Sequence, residues 1–177
     1  MHVNFFIFCL FIIATSWVAA SAPLKVAQPS FLIKGKEMQY EPKKNQSHVK
    51  GDAHAIRTRP PSKTSPLPRT QTLTADYFQV NFSNLSDQQS SQNIDTIEAE
   101  GNVYFQEEDF SIRAERCTYD CKTNIITCDG KIVLTKAGST IKGQKATANL
   151  ESDYYNVTGK DKSDTVQAVL LPNSIHP

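Results

Sequence analysis

Outside the first 22 residues, the side chains best able to do covalent or metal chemistry are Cys117, Cys121 and Cys128. Three residues separate the first two and six the next, with no histidine nearby; His48, His54 and His176 lie far off in sequence. That is neither a zinc-ligand spacing nor a C-x-x-C redox motif, so no metal and no cofactor is expected. Three thiols are an odd number, enough for one disulfide with one left over. The acids Glu98, Glu100, Glu107, Glu108 and Asp109 cluster, but they fall on outward positions or a hairpin tip and read as a solvated face. There is no nucleophile elbow, phosphate-cradling glycine loop or paired histidine helix motif. The expectation is a protein that is not an enzyme. A thiol-redox enzyme using the three cysteines is the rival, and retained function after replacing all three with serine would exclude it. Asn45, Asn81, Asn84 and Asn156 head N-x-Ser/Thr triplets, which read as chance in a chain rich in those residues.

The elements that carry these residues repeat. Ile97-Glu-Ala-Glu-Gly101-Asn-Val-Tyr-Phe105 and Ile126-Thr-Cys-Asp-Gly130-Lys-Ile-Val-Leu134 align without a gap at a period of 29 residues, and Ile112 then matches Ile141. Such a period marks a small unit stacked or folded over on its copies. Within each unit apolar residues alternate with polar ones, as a strand with one buried face requires. Gly101 and Gly130 lie in phase with the inward face, where a missing side chain lets a strand bend. The back halves space their apolar residues two, three, two: Leu73, Ala75, Phe78, Val80; Ile112, Ala114, Cys117, Tyr119; Ile141, Gly143, Ala146, Ala148. One extra residue at the same place predicts a β-bulge or strand corner. A sheet folded over on itself follows.

Gln106–Asp109 and Lys136–Ser139 read as hairpin tips and Asp120–Asn124 as a third turn. With that turn centred near Lys122 and Thr123, Cys117 lies across from Cys128; a cross-strand disulfide and two simply buried thiols are both compatible with this. Ser83–Asn93 reads as a long polar loop. A third unit begins at Tyr155-Asn-Val157-Thr-Gly159 and loses its pattern, leaving Val166, Ala168 and Leu170 as a last alternating strand and terminal strands open to another chain.

Ahead of this array, Met1–Ala22 has an apolar run, Phe5–Ala14, followed by small residues, the pattern of a secretory signal peptide cut after Ala20. Its n-region carries only His2 and the free amine, so the alternative is an uncleaved anchor from Val3 to Ala22. Residues 23–71 read as a basic, proline-rich flexible linker and carry ten Lys/Arg against three Asp/Glu, a net of +7. Residues 72–177 carry nine against fifteen, a net of −6. An acidic folded part is not a nucleic-acid surface, whereas the basic arm reads as a solvated spacer or a contact for something anionic. The expected domains are 1–22, 23–71, a β domain at 72–171, and a tail at 172–177.

Leu73-Thr-Ala75-Asp76, Ile97-Glu-Ala99-Glu-Gly101-Asn-Val103, Ile112-Arg-Ala114, Tyr119-Asp120, Asp129-Gly130, Ile141-Lys-Gly143 and Val157-Thr-Gly159, in this order, resemble the LptA/OstA-like family of lipopolysaccharide transport proteins. The cysteines, the basic arm and the long Ser83–Asn93 loop depart from that pattern. The resemblance implies an all-β fold, a folded-over antiparallel β-jelly-roll ("β-taco") with open ends. It also implies an apolar groove that shelters the acyl chains of lipopolysaccharide across the periplasm. Implied partners are lipopolysaccharide, further copies stacked end to end by strand addition, and inner- and outer-membrane Lpt components. Ala75, Phe78, Ile97, Ala99, Val103, Phe105, Ile112, Ile132, Leu134 and Ile141 are the candidate groove residues. The rival functions are an inner-membrane-anchored LptC-like member and a structural self-assembling β-repeat protein of the envelope without lipid cargo.

Overall fold

The computed structural model describes residues 30–61, 66–83, 94–161 and 163–171. The leader, the Ser83–Asn93 loop beyond Ser83 and the tail at 172–177 lie outside these residues. Ten strands form one antiparallel sheet that does not close into a barrel. Six long strands make its body: β3 (Gln46–Arg59), β4 (Arg69–Phe82), β5 (Ile94–Glu107), β6 (Phe110–Asp120), β7 (Ile125–Lys136) and β8 (Ser139–Asn149), each paired with the next. Two short strands cover each edge. β1 (Ser30–Lys34) and β2 (Glu37–Glu41) lie end to end on β3, while β9 (Tyr154–Thr158) and β10 (Gln167–Val169) do the same on β8.

The expected linker at 23–71 is therefore corrected: residues 30–59 of it hold three strands. The prolines that suggested a linker lie outside β3, whose fourteen residues contain none. Its inward side chains Val49, Ala53 and Ala55 are buried, in the same alternating phase as Ala99, Val103 and Phe105. Residues 60–68 connect β3 to β4, where proline lacks the amide that a ladder needs.

Every long strand bends once, at the same level, folding the sheet in two. On β3, β5 and β7 the corner is a pair of left-handed residues: Gly51-Asp52, Gly101-Asn102 and Gly130-Lys131, with φ between 45° and 79°. These pairs lie opposite a single residue of the next strand, Asp76, Glu115 or Gln144, where the register shifts. The bulge expected from the back halves is thus one side of a corner that the glycine strands share. The two arms so formed are 46–50, 77–82, 94–100, 116–120, 125–129 and 145–149 on one side, and 53–59, 69–74, 103–107, 110–114, 132–136 and 139–143 on the other.

The turns repeat as well. Ala137-Gly138 both have positive φ, the primed geometry that matches strand twist in a two-residue hairpin. Asp120 Oδ1 accepts from the amides of Lys122 and Thr123, and 29 residues later Asn149 Oδ1 accepts from Glu151 and Ser152. Each side chain thus initiates the turn that returns its strand.

Candidate functional site

The inner face of the folded sheet is a continuous apolar surface. Phe78, Ile97, Ala99, Val103, Phe105, Ile112, Ile132 and Leu134 are all 1% exposed or less, and Ala75 is 5% exposed. Val49, Leu73, Val80, Phe110, Tyr119, Ile126 and Leu150 join them. Alternation brings these residues together: an inward position on any strand stays inward past the corner. Ile141 differs from the other candidates, being half-buried opposite Ala168 of β10 near the sheet edge. The interior is packed on itself. The space among Phe31, Ala55, Arg57, Gln71, Leu73, Ile97, Phe105 and Tyr119 is about 10 Å³, far below the 300 Å³ or more of a ligand pocket.

Cys117 and Cys128 face each other across β6 and β7 and are joined by a disulfide; Cys121 is free and buried. Burial pushes the Cys121 thiol up to about 12, so at neutral pH it is protonated and inert as a nucleophile. Among the described residues no cluster of His, Cys, Asp or Glu could hold a metal.

The free ends of the two arms form lips that meet opposite the corner, and their contacts are polar at the inner edge. Arg57 Nη1 of β3 donates to Tyr119 Oη (2.5 Å) and to Asn124 Oδ1 (2.8 Å), both from the opposite lip. Tyr119 Oη donates to Gln71 Oε1 (2.8 Å), and Gln71 Nε2 donates to Glu107 Oε2 (2.6 Å). Glu107 in turn pairs with Arg69 (3.3 Å) and Arg59 (3.6 Å), and Arg59 reaches across to Glu151 and the Leu150 carbonyl. Burial pushes the Tyr119 hydroxyl up to about 12, against the pull of Arg57. The outer edge closes with Phe110 stacked on Tyr155, centroids 4.5 Å apart. The expectation that Glu107 is a solvated acid is corrected: it is 4% exposed and lies in the network. Continuing the inward phase of Val103 and Phe105 by two residues would have found it, and continuing that of Ala53 and Ala55 would have found Arg57. Glu98, Glu100, Glu108 and Asp109 are exposed.

Residues 69–154 match the family described as LptA/(LptD N-terminal domain) LPS transport protein. Over these residues the chain is LptA-like. The match runs from the first residue of β4 to the first of β9 and so contains both glycine strands of the 29-residue repeat. Among solved structures the chain is similar to LptH from Pseudomonas aeruginosa, described as the LptA-homologous periplasmic component of a conserved lipopolysaccharide transport device. The two share 12% identity over 81% of this chain and 96% of that one, with a TM-score of 0.62. That likeness carries the fold, a folded-over β-jelly-roll, and it extends beyond the family match to strands N-terminal of Arg69. No curated protein matches the sequence. The matching family is described as one of LPS transport proteins.

Proposed function

We propose that this protein takes part in lipopolysaccharide transport across the periplasm and shelters lipid A acyl chains between the two arms of its folded sheet. The observation that carries this reading is the inner face: an unbroken apolar surface crossing all six long strands, in a chain whose residues 69–154 match the LptA family. Burying acyl chain is worth about 0.8 kcal/mol per CH₂, so a chain of a dozen carbons does not cross water bare. Because the interior is filled by its own side chains, cargo enters as the lips part and the arms separate about the corner. Ala75, Phe78, Ile97, Ala99, Val103, Phe105, Ile112, Ile132 and Leu134 then exchange contacts with each other for contacts with lipid, and Ile141 lines the exit at the edge. The short edge strands β1–β2 and β9–β10 leave backbone groups open for end-to-end pairing with another copy, or with Lpt partners in the inner and outer membranes, by strand addition. Leu32, Met38 and Tyr40 at one edge and Val169 and Leu170 at the other are exposed large apolar residues suited to such a junction.

The packed interior also favours one rival, a structural β-repeat protein without cargo. A photo-crosslinking amino acid at Phe105 or Ile132, tested in cells, separates them. A lipopolysaccharide-containing adduct at either position is expected. Adducts to neighbouring protein only, at both positions and at normal protein abundance, would leave the structural reading standing.

A further inference from the structure

We propose that Arg57, with Arg59 and Arg69 beside it, is a binding site for the anionic, phosphate-bearing head group of the amphiphile whose chains the trough shelters. The proposal rests on the lipid-carrying reading and assigns residues of this chain to the head group, which that reading leaves unplaced.

The central observation is Arg57 itself. It is 8% exposed at an inward position of β3. Among the described residues no carboxylate pairs with it; its acceptors are the neutral Tyr119 hydroxyl and Asn124 amide oxygen. Its Nε is buried with no hydrogen-bond partner. Its guanidinium plane lies over the Phe31 ring, 5.0 Å from the centroid. A permanently charged group in a low-dielectric interior is costly to keep unless an opposite charge compensates it. Apolar contact alone would be served better by leucine, so the residue type calls for an anion that this chain does not supply.

Its neighbours point the same way. Arg57 is in register with Gln71, Gln71 with Glu107, and Arg59 with Arg69. On this inner row Arg59 and Arg69 share a single buried carboxylate, Glu107, which Gln71 links to Tyr119, the acceptor of Arg57; the other acids in reach, Glu151, Glu108 and Asp153, are exposed on the rim. Guanidinium forks bind tetrahedral phosphate oxygens bidentately and prefer them to a lone neutral acceptor. The row also lies where an amphiphile's head must be if its chains lie inside. Leu73, Ile97 and Phe105 border the same small space that Arg57, Gln71 and Tyr119 border from the polar side.

The site couples head group to opening. The acceptors that Arg57 now uses, Tyr119 and Asn124, belong to the opposite lip, so an anion that takes over Arg57 removes a bond holding the lips together.

The test compares amphiphiles with one chain length and different heads, by displacement of a fluorescent acyl probe from the purified protein. Dodecyl phosphate is expected to displace it at roughly tenfold lower concentration than dodecyl maltoside, the size of about one charge-assisted contact, and dodecyltrimethylammonium to be the weakest of the three. Added salt should narrow the gap. Arg57→Gln should bring the phosphate-to-maltoside ratio close to one. Arg57→Lys should restore part of it, and Arg116→Gln, on the outer face, should leave it intact. Should Arg57→Gln fail to fold, the head-group order in the unaltered protein decides alone. Equal displacement by phosphate and maltoside heads overturns the head-group site but leaves the lipid reading standing. A ratio that survives Arg57→Gln overturns the assignment to Arg57. Inorganic phosphate binding as tightly as dodecyl phosphate overturns it in favour of a free-anion site. Displacement by none of the three sinks the lipid reading and this proposal together.

Discussion

A Cβ added at Gly101 would lie 2.4 Å from Asp76 Oδ2, on backbone with φ of +76°, and one at Gly130 would lie 2.5 Å from Glu115 Oε2 at φ of +79°. Two separate reasons therefore demand glycine. The left-handed backbone costs a side-chain-bearing residue about 1–2 kcal/mol, and a corner residue of the preceding strand, Asp76 or Glu115, folds its carboxylate over the gap. Asp76 also accepts from Asn102 Nδ2 at 2.9 Å, which ties the roof to the second corner residue. The two costs can be measured apart. Gly101→Ala is expected to destabilise by roughly 2 kcal/mol or more in the unaltered background, and by about 0.5 kcal/mol less or better when Asp76→Ala is also present. Denaturant unfolding of the four proteins of that cycle gives the coupling directly. Zero coupling would mean that the carboxylate does not roof the glycine and that backbone strain accounts for the whole effect. The sequence pattern put the glycines on the inward face at the bend, but the positive φ and the roof belong to a pair of strands and are not written in one.

At the scale of the element, strand pairing was the part most open to reading. Period-two alternation named strands, and turn residues between them fixed the register by counting. The turn centred on Lys122 and Thr123 sets Asp120 opposite Ile125 and hence Cys117 opposite Cys128. What counting left open was whether the facing thiols bond. In the structure they do, stapling β6 to β7 about midway between their turn and their corner. With a sequence separation of 11 between the two cysteines, the loop-entropy argument gives a stabilisation of roughly 2–3 kcal/mol. Replacing Cys117 and Cys128 together with alanine should lower unfolding stability by about that amount while leaving the β-sheet circular-dichroism spectrum unchanged. Reductant should shift the unaltered protein by a similar amount and the double variant not at all. A reductant effect that persists without Cys117 and Cys128 would place the redox-sensitive bond elsewhere. Edge effects were harder to foresee: Ile141 carries the same inward phase as Ile112, yet its arm of β8 is covered only by the three residues of β10, so phase alone overstates its burial.

For the whole molecule, the misleading signal was composition. Ten basic residues and scattered prolines made 23–71 look unable to form a core, yet β3 within it repeats the corner motif as Val49-x-Gly51-x-Ala53-x-Ala55. It escaped a period search because the step from Gly51 to Gly101 is 50 residues rather than 29; the 60–68 connection and the loop after Phe82 lengthen it. Its inward alanines are also small, so average hydropathy stays low while the inner face is still apolar. This matters for where the functional unit begins. The family match starts at Arg69, but without β3 the inner side chains Leu73, Phe78 and Val80 lose their neighbours on one side. The twelve paired positions of β4 that β3 now occupies become an open edge, a template for aggregation. Arg57 and Arg59 would go too, and with them the polar bonds across the lips. A fragment from Arg69 to Leu171 is therefore expected to aggregate or to bind a hydrophobic dye strongly, whereas a chain beginning at Ser30 gives a cooperative unfolding transition and no dye binding. Size-exclusion chromatography with dye fluorescence on the two fragments decides it. If the shorter fragment elutes as a discrete, dye-silent species with the same unfolding midpoint, β1–β3 are an accessory to the trough rather than one of its walls.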